Sequence, residues 1–466
     1  MKSKLLWSIA ACLICSVNAS AQHETDHWFF GVHAGLDFSS GIVVAESGGQ
    51  VYTNEGCSSM SDASGNLLFY TDGITVWNRN HEVMPNGTDL DGGSSSTQAA
   101  LIVPDPAGVS KYYVFTTDET GGPNGFRFSI VDVTLQGGLG DVTIKDSLVR
   151  DTVTEKLAAV RQGHKGDYWI AVHKWGSDEY DVYSLTVNGL SVTPVVSNIG
   201  TVLTTAQIQN TYGQLKFSPC GDRLASANGY LDTVDVFDFD IETGIISNCI
   251  SIPMPAHVYG VEFSPNEQFL YVTTYDYENS LLQFDLSAGT ADEVIASKTV
   301  INFTPDLYAL QLGNDGKIYV CKSFSSYLDV IDSPDEAGFD CNYVFNAVNL
   351  DPDYQGITSA LGLPDFVSSF LAPSTCEALE SNDPMEAKRI SIFPNPSSDH
   401  FTFISDKSVA VDILTMSGAI IERFTLPPHS ELKFGSDLPE GIFLLKLKTA
   451  NEISFTKLVK SANSTR

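Results

Sequence analysis

One unit of β structure recurs along most of this chain, and its spacing constrains the fold more than any other feature. Residues 215–225 open on Leu215, Phe217, Ser218 and Pro219 and turn at Gly221 and Asp222; Val234, Val236, Phe237 and Phe239 follow. The pattern returns from Val261 through Phe263, Ser264 and Pro265 to Leu282 and Phe284, and again from Leu310 through Gly313 and Gly316 to Leu328 and Ile331. Looser copies begin near Ser59, Leu101 and Ala159. Each copy is an apolar strand, a Pro/Asx/Gly turn, a second strand rich in β-branched and aromatic residues, then a third alternating strand. The start-to-start spacing of 42 to 58 residues is that of a four-stranded propeller blade. Six units are legible. The stretches 28–51 and 355–370 remain at the two ends, and pairing them supplies a seventh blade that closes the ring and hides its edge strands.

Charge excludes one class of partner. The formal net charge is −31, and it falls to −33 without Lys2 and Lys4. Residues 385–466 come to +1, so residues 22–384 carry about −34. Phosphate binding requires Lys and Arg to displace counterions, so nucleic acid and anionic lipid are repelled. Solubility explains such a charge; binding of cations or basic partners is the sharper reading.

The N-terminus reads as a leader over residues 1–21: Lys2 and Lys4, an apolar run from Leu5 to Val17, then Ala19-Ser20-Ala21. Ile9-Ala10-Ala11 before Cys12 also permits a lipoprotein leader, though the apolar region would be short. The run is too short to span a bilayer, and no other segment is apolar enough to do so. Cys57, Cys220, Cys249, Cys321, Cys341 and Cys376 follow the leader, an even number suited to an oxidising compartment. Their pairing is not fixed by sequence, and Cys220–Cys249 and Cys321–Cys341 are the within-repeat guesses. No Cys/His spacing suits zinc, and neither a metal nor a cofactor is expected.

The C-terminal segment has its own pattern. Phe401/Phe403, Val409/Val411/Ile413 and Ile442/Leu444 alternate, with turn signals at Ser417-Gly418, Pro427-Pro428 and Glu440-Gly441. Pro394, Asn395 and Pro396 at its entry, Met416-Ser417-Gly418, Leu438 to Gly441 and Lys457 in the last strand resemble the C-terminal sorting domain of type IX secretion cargo in the Bacteroidetes. Ile442-Phe443 departs from the Tyr usual there. The resemblance implies recognition by the outer-membrane secretion machinery and its sortase, and delivery through the periplasm to the cell surface or medium. Pro394, Asn395, Pro396, Gly418, Gly441 and Lys457 are then the expected sorting-signal residues.

The body resembles a known family as well. Trp28-Phe29-Phe30-Gly31, Asp62 with Gly65 to Gly73, Val76-Trp77-Asn78, Met84 to Gly87, Ser94 to Gln98 and Gly362 to Phe366 are similar to the propeller of Bacteroidetes surface and gliding-associated proteins. That similarity implies a fold and a surface location but no activity. The expected organisation is all-β: leader 1–21, seven-bladed propeller 22–371, linker 372–388, and an immunoglobulin-like β-sandwich 389–466.

Loops joining second to third strands share one face of a propeller with the loops between blades. Trp175, Tyr230, Tyr275, Tyr277, Phe324 and Tyr327, with His173, are expected to ring that mouth among Asp and Asn. Rings beside carboxylates and amides suit a glycan, or a protein partner such as a basic peptide; packing between blades is the bland alternative. No residue is assigned a catalytic role. Gly-x-Ser-x-Gly and the phosphate-binding loop are absent, and His164, His173 and His257 near strand ends are individually unremarkable. A non-enzymatic binding protein is therefore the expectation. A hydrolase or lyase acting on polysaccharide or lactone, and a structural part of a gliding apparatus, are the competing readings.

Overall fold

A computed structural model describes residues 23–461 apart from 109, 164–165, 277, 374–375, 377–389, 394–396, 398, 406–407, 416–418, 428–429 and 449–452. The leader and most of the expected linker thus lie outside the described residues. The chain divides into two compact units, one ending at Cys376 and the other beginning at Glu377.

The first unit is a ring of seven antiparallel sheets. Blade 1 holds His27–Phe30, Ala34–Asp37 and Val44–Ala45; blade 2 holds Ser58–Ser61, Leu67–Thr71 and Val76–Asn78. Blade 3 runs Ala100–Pro104, Lys111–Thr117, Phe126–Asp132 and Asp141–Arg150. Blade 4 begins with Leu157–Arg161, Tyr168–His173 and Glu179–Thr186, and both Gly189–Leu190 and Val195–Asn198 pair with its third strand. Blades 5, 6 and 7 start at Leu215–Phe217, His257–Phe263 and Leu307–Leu312, and each has four strands in sequence order.

The repeated Phe-Ser-Pro has a local cause. The buried Ser218 hydroxyl accepts the Arg223 N–H at 3.1 Å, and Ser264 accepts that of Phe269 at 2.9 Å. Each serine thereby closes the turn into the second strand, while the preceding Phe217 or Phe263 fills the core. The cores are shared between neighbours: Leu215, Phe217 and Phe237 of blade 5 pack with Val160, Trp169 and Val182 of blade 4.

Closure takes a different form from simple pairing of the first and last strands. Val32 and Thr358 exchange backbone hydrogen bonds at 2.8 and 3.2 Å, but Thr358 makes only isolated bridges, to Val32 and His33, rather than a ladder. Residues 358–370 then run down the axis. Cys57 bridges Pro364, Ala159 bridges Val367, Ala309 donates to the Leu361 carbonyl, and Trp28 packs on Phe366. Blades 1, 2, 4 and 7 thus all touch this segment directly. Below it, Cys376 is joined to Cys220 in the first turn of blade 5, which overturns both within-repeat pairings. Cys57, Cys249, Cys321 and Cys341 are free thiols.

The second unit is a two-layer β-sandwich. One sheet pairs Ile390–Phe393, Phe401–Ser405 and Ser430–Phe434; the other orders Ile420–Leu426, Val409–Thr415, Gly441–Lys448 and Ile453–Lys460. Alternation puts Phe401, Phe403, Val411, Ile413, Leu445 and Leu447 in one apolar layer between them. The described part of each unit contains no helix long and apolar enough to cross a membrane.

Candidate binding mouth and the secretion tail

The axis is polar where it is buried. Inner strands of adjacent blades diverge, and side chains bridge the backbone groups left between them. The Gln98 carbonyl oxygen accepts from Leu157 N at 3.2 Å and Leu215 N at 2.8 Å; Gln214 does the same for Val261 and Leu310. Asp365, on the axial segment, meets the Lys216 ammonium at 3.1 Å and the Gln98 amide at 3.0 Å. Burial pushes the Asp365 carboxyl upward, opposed by Lys216. Burial likewise lifts Glu262 to about 7.

Above this plug, at the end carrying the second-to-third-strand turns, lies a cluster of acids and tyrosines. The Tyr259 hydroxyl donates to Glu55 at 2.8 Å, and Ser95 donates to the other oxygen of Glu55 at 3.1 Å. Glu155 accepts from Thr97 N at 2.9 Å, Thr120 N at 2.8 Å and the Thr211 hydroxyl at 3.2 Å, tying three loops together. Burial, then the charge of Glu155, lifts Glu55 to about 8, so it is largely protonated at neutral pH. Burial raises Glu155 too. Lys156 next to it is desolvated, which draws it down to about 7, and it donates to the carbonyls of Tyr212 at 3.0 Å and Gly213 at 2.8 Å.

The aromatic wall runs from blade 5 to blade 7. Tyr230 stacks on His257 with centroids 3.8 Å apart, Tyr275 lies 5.7 Å from both His257 and Tyr308, and Tyr259 meets Tyr308 edge-on at 5.3 Å. His257 is held by Asp232 at 2.6 Å, with Asp276 3.9 Å from its other nitrogen.

Of the residues the sequence nominated, Tyr230 and Tyr275 share this wall. Phe324 and Tyr327 lie on the blade 7 turn, 59% and 37% exposed, with no described ring contact to the cluster. Trp175 is half-buried, its ring over Gly121 and its indole N–H enclosed without a described partner. Tyr277 falls outside the described residues. His173 is not on the mouth: it is fully buried edge-on against Tyr180, and desolvation holds it down to about 3, as a neutral ring. Glu55, Glu155, Tyr212, Tyr259 and Tyr308 were missed. They sit just before or within inner strands, where Tyr reads as core and Glu as solvent-facing.

In the tail, Gly441 opens its strand and the Lys457 backbone pairs with Leu444, while Pro394, Asn395, Pro396 and Gly418 lie outside the described residues. Lys460 is buried, its ammonium on the Gly435 carbonyl at 2.8 Å. Residues 391–461 match the family model described as a secretion system C-terminal sorting domain.

The tail is a type IX sorting domain. The protein is therefore cargo of that secretion machinery, exported to the cell surface or extracellular space. A search of curated proteins finds no match to the chain. Among solved structures, a Bacteroides fragilis protein provisionally assigned as a 6-phosphogluconolactonase is 11% identical with a TM-score of 0.47, over 73% of this chain and 97% of that one. The Pseudomonas aeruginosa periplasmic gluconolactonase is 14% identical at 0.36, over 78% and 95%. The β-propeller domain of Myceliophteria thermophila Cps50 (Swd1) is 10% identical at 0.39, over 64% and 94%. Such low scores carry no argument about activity.

Proposed function

We propose that the exported propeller is a non-enzymatic binding protein that takes a glycan or protein ligand on its acidic, aromatic mouth. The observation that carries this reading is the axial segment 358–370. Ala360, Asp365 and Val367 on it are essentially buried, so the ring's own chain occupies the space where a central substrate funnel would lie. What remains is the tyrosine wall and the acids around it, groups suited to recognition. Glu55 and Glu155 are the compact carboxylate pair that a hydrolase reading would use. Both are already engaged by hydroxyls and backbone N–H groups, which favours a structural and recognition role for them.

Glycan and peptide arrays probed with the secreted protein test this reading. Retention that Tyr308→Ala abolishes, with ligands recovered intact, is the expected result. Consumption of a polysaccharide or lactone that depends on Glu55 or Glu155 would overturn it.

A further inference from the structure

We propose that the mouth binds a basic polypeptide segment, seating a lysine or arginine head group against Tyr212, Tyr275 and Tyr308 and the carboxylates Asp276 and Asp306. This rests on the binding reading above and names the chemistry of its ligand.

The first argument is the company these tyrosines keep. Tyr275 and Tyr308 lie 5.7 Å apart, with Tyr230 6.4 Å from Tyr275 on the other side. After burial, the largest influences holding the Tyr308 phenol above its usual range are Asp306 and Asp276; for Tyr212 the largest is Glu155. Aromatic rings and phenol oxygens bordered by several carboxylates form a site for an organic cation, because ring quadrupole and carboxylate charge attract it together.

The second argument is the lack of an available countercharge. Lys156 is committed to backbone carbonyls. The other described basic side chains near this end are paired: Arg127 with Asp91, Arg150 and Lys174 with Glu179, Lys322 with Asp329, and the His257 imidazole with Asp232. An anionic ligand would meet unrelieved repulsion, and a neutral one would desolvate carboxylates without compensation. A cation relieves both costs, and the strongly acidic body steers it inward.

The third argument selects a polypeptide over a small ammonium ion. Outside the wall, loops at the same end carry exposed aromatics: Tyr52 at 69%, Phe303 at 71%, Phe324 at 59% and Tyr354 at 94%. These give apolar footing to residues flanking the inserted head group, as aromatic-rich protein interfaces do.

The test is fluorescence anisotropy on the secreted full chain with a labelled oligo-arginine peptide, an oligo-citrulline peptide of equal length, and neutral oligosaccharides. The arginine peptide is expected to bind about tenfold or more tightly than citrulline, its neutral isostere. Tyr308→Leu and Tyr275→Leu should each weaken it about fivefold without changing net charge, while Tyr308→Phe, which keeps the ring and guards against a folding artefact, should retain most of it. The pair Asp276→Asn and Asp306→Asn should weaken it, whereas Asp238→Asn and Asp240→Asn, at the opposite end of blade 5, should not. Equal binding of citrulline, or indifference to both leucine variants in folded protein, would overturn the proposal as mere diffuse charge attraction. Tyr308-dependent binding of a neutral oligosaccharide alone would sink the cation proposal yet leave the mouth as a ligand face. Failure of every probe would count against both.

Discussion

Lys216 and Asp365 form a buried ion pair 3.1 Å long on the axis of the ring, between an inner strand and the segment that plugs it. Removing one partner leaves a buried charge unpaired. Lys216→Met should therefore destabilise the propeller by about 3–5 kcal/mol, and adding Asp365→Leu should recover much of that loss. Urea unfolding of the two variants reads the difference; a double variant worse than the single would show that the pair is more than a mutual charge requirement.

The Cys220–Cys376 bond closes a loop over a sequence separation of 156 residues. Cys376→Ser should cost roughly 2–5 kcal/mol, chiefly by freeing the unfolded chain. Once the leader is removed, the unfolded, unreduced protein should titrate four thiols, those of Cys57, Cys249, Cys321 and Cys341. Six thiols would show that the clasp does not form.

Space along the plug is tight at Gly362, where an added Cβ would lie 2.1 Å from the Glu55 carbonyl oxygen. Backbone cannot yield as a flexible side chain can. Gly362→Ala is expected to cost about 1–3 kcal/mol, with a lower melting temperature as the readout.

How much of this was legible in the sequence follows from the range of the interactions. Phe217-Ser218-Pro219 and Phe263-Ser264-Pro265 announce a turn because their hydroxyls act five residues away. The plug is different. Asp365 meets Gln98 and Lys216 across sequence separations of 267 and 149, and no local periodicity encodes such contacts. The mouth was half legible: Tyr230 and Tyr275 lie on turns the strand pattern places there, whereas Tyr259 sits within an all-buried strand and looks like core. His173 misled because it ends its strand, yet its ring turns inward against Tyr180.

Glu55 gives stability a pH dependence. Its folded value of about 8 lies above the ordinary 4.5, so the native state holds a proton there that the unfolded state has released. Its stabilising contribution is complete below about pH 4.5, declines as pH rises between the two values, and is lost above about pH 8. Glu55→Gln removes that titration, so between about pH 5 and 9 wild type should lose on the order of 2–4 kcal/mol relative to the variant. Parallel stability curves would mean that Glu55 titrates normally.

The sorting domain, matched over residues 391–461, directs export. Its deletion should leave the protein in the periplasm, read by fractionation and surface protease access; normal surface display of the truncated chain would contradict the sorting role.

The most direct measurement is the mass of whatever the mouth captures. Ligand retained by the secreted protein and lost with Tyr308→Ala should be recovered with unchanged mass after prolonged incubation. Recovery with the mass of a hydrolysis or elimination product, dependent on Glu55 or Glu155, would contradict the account and make the mouth an active site.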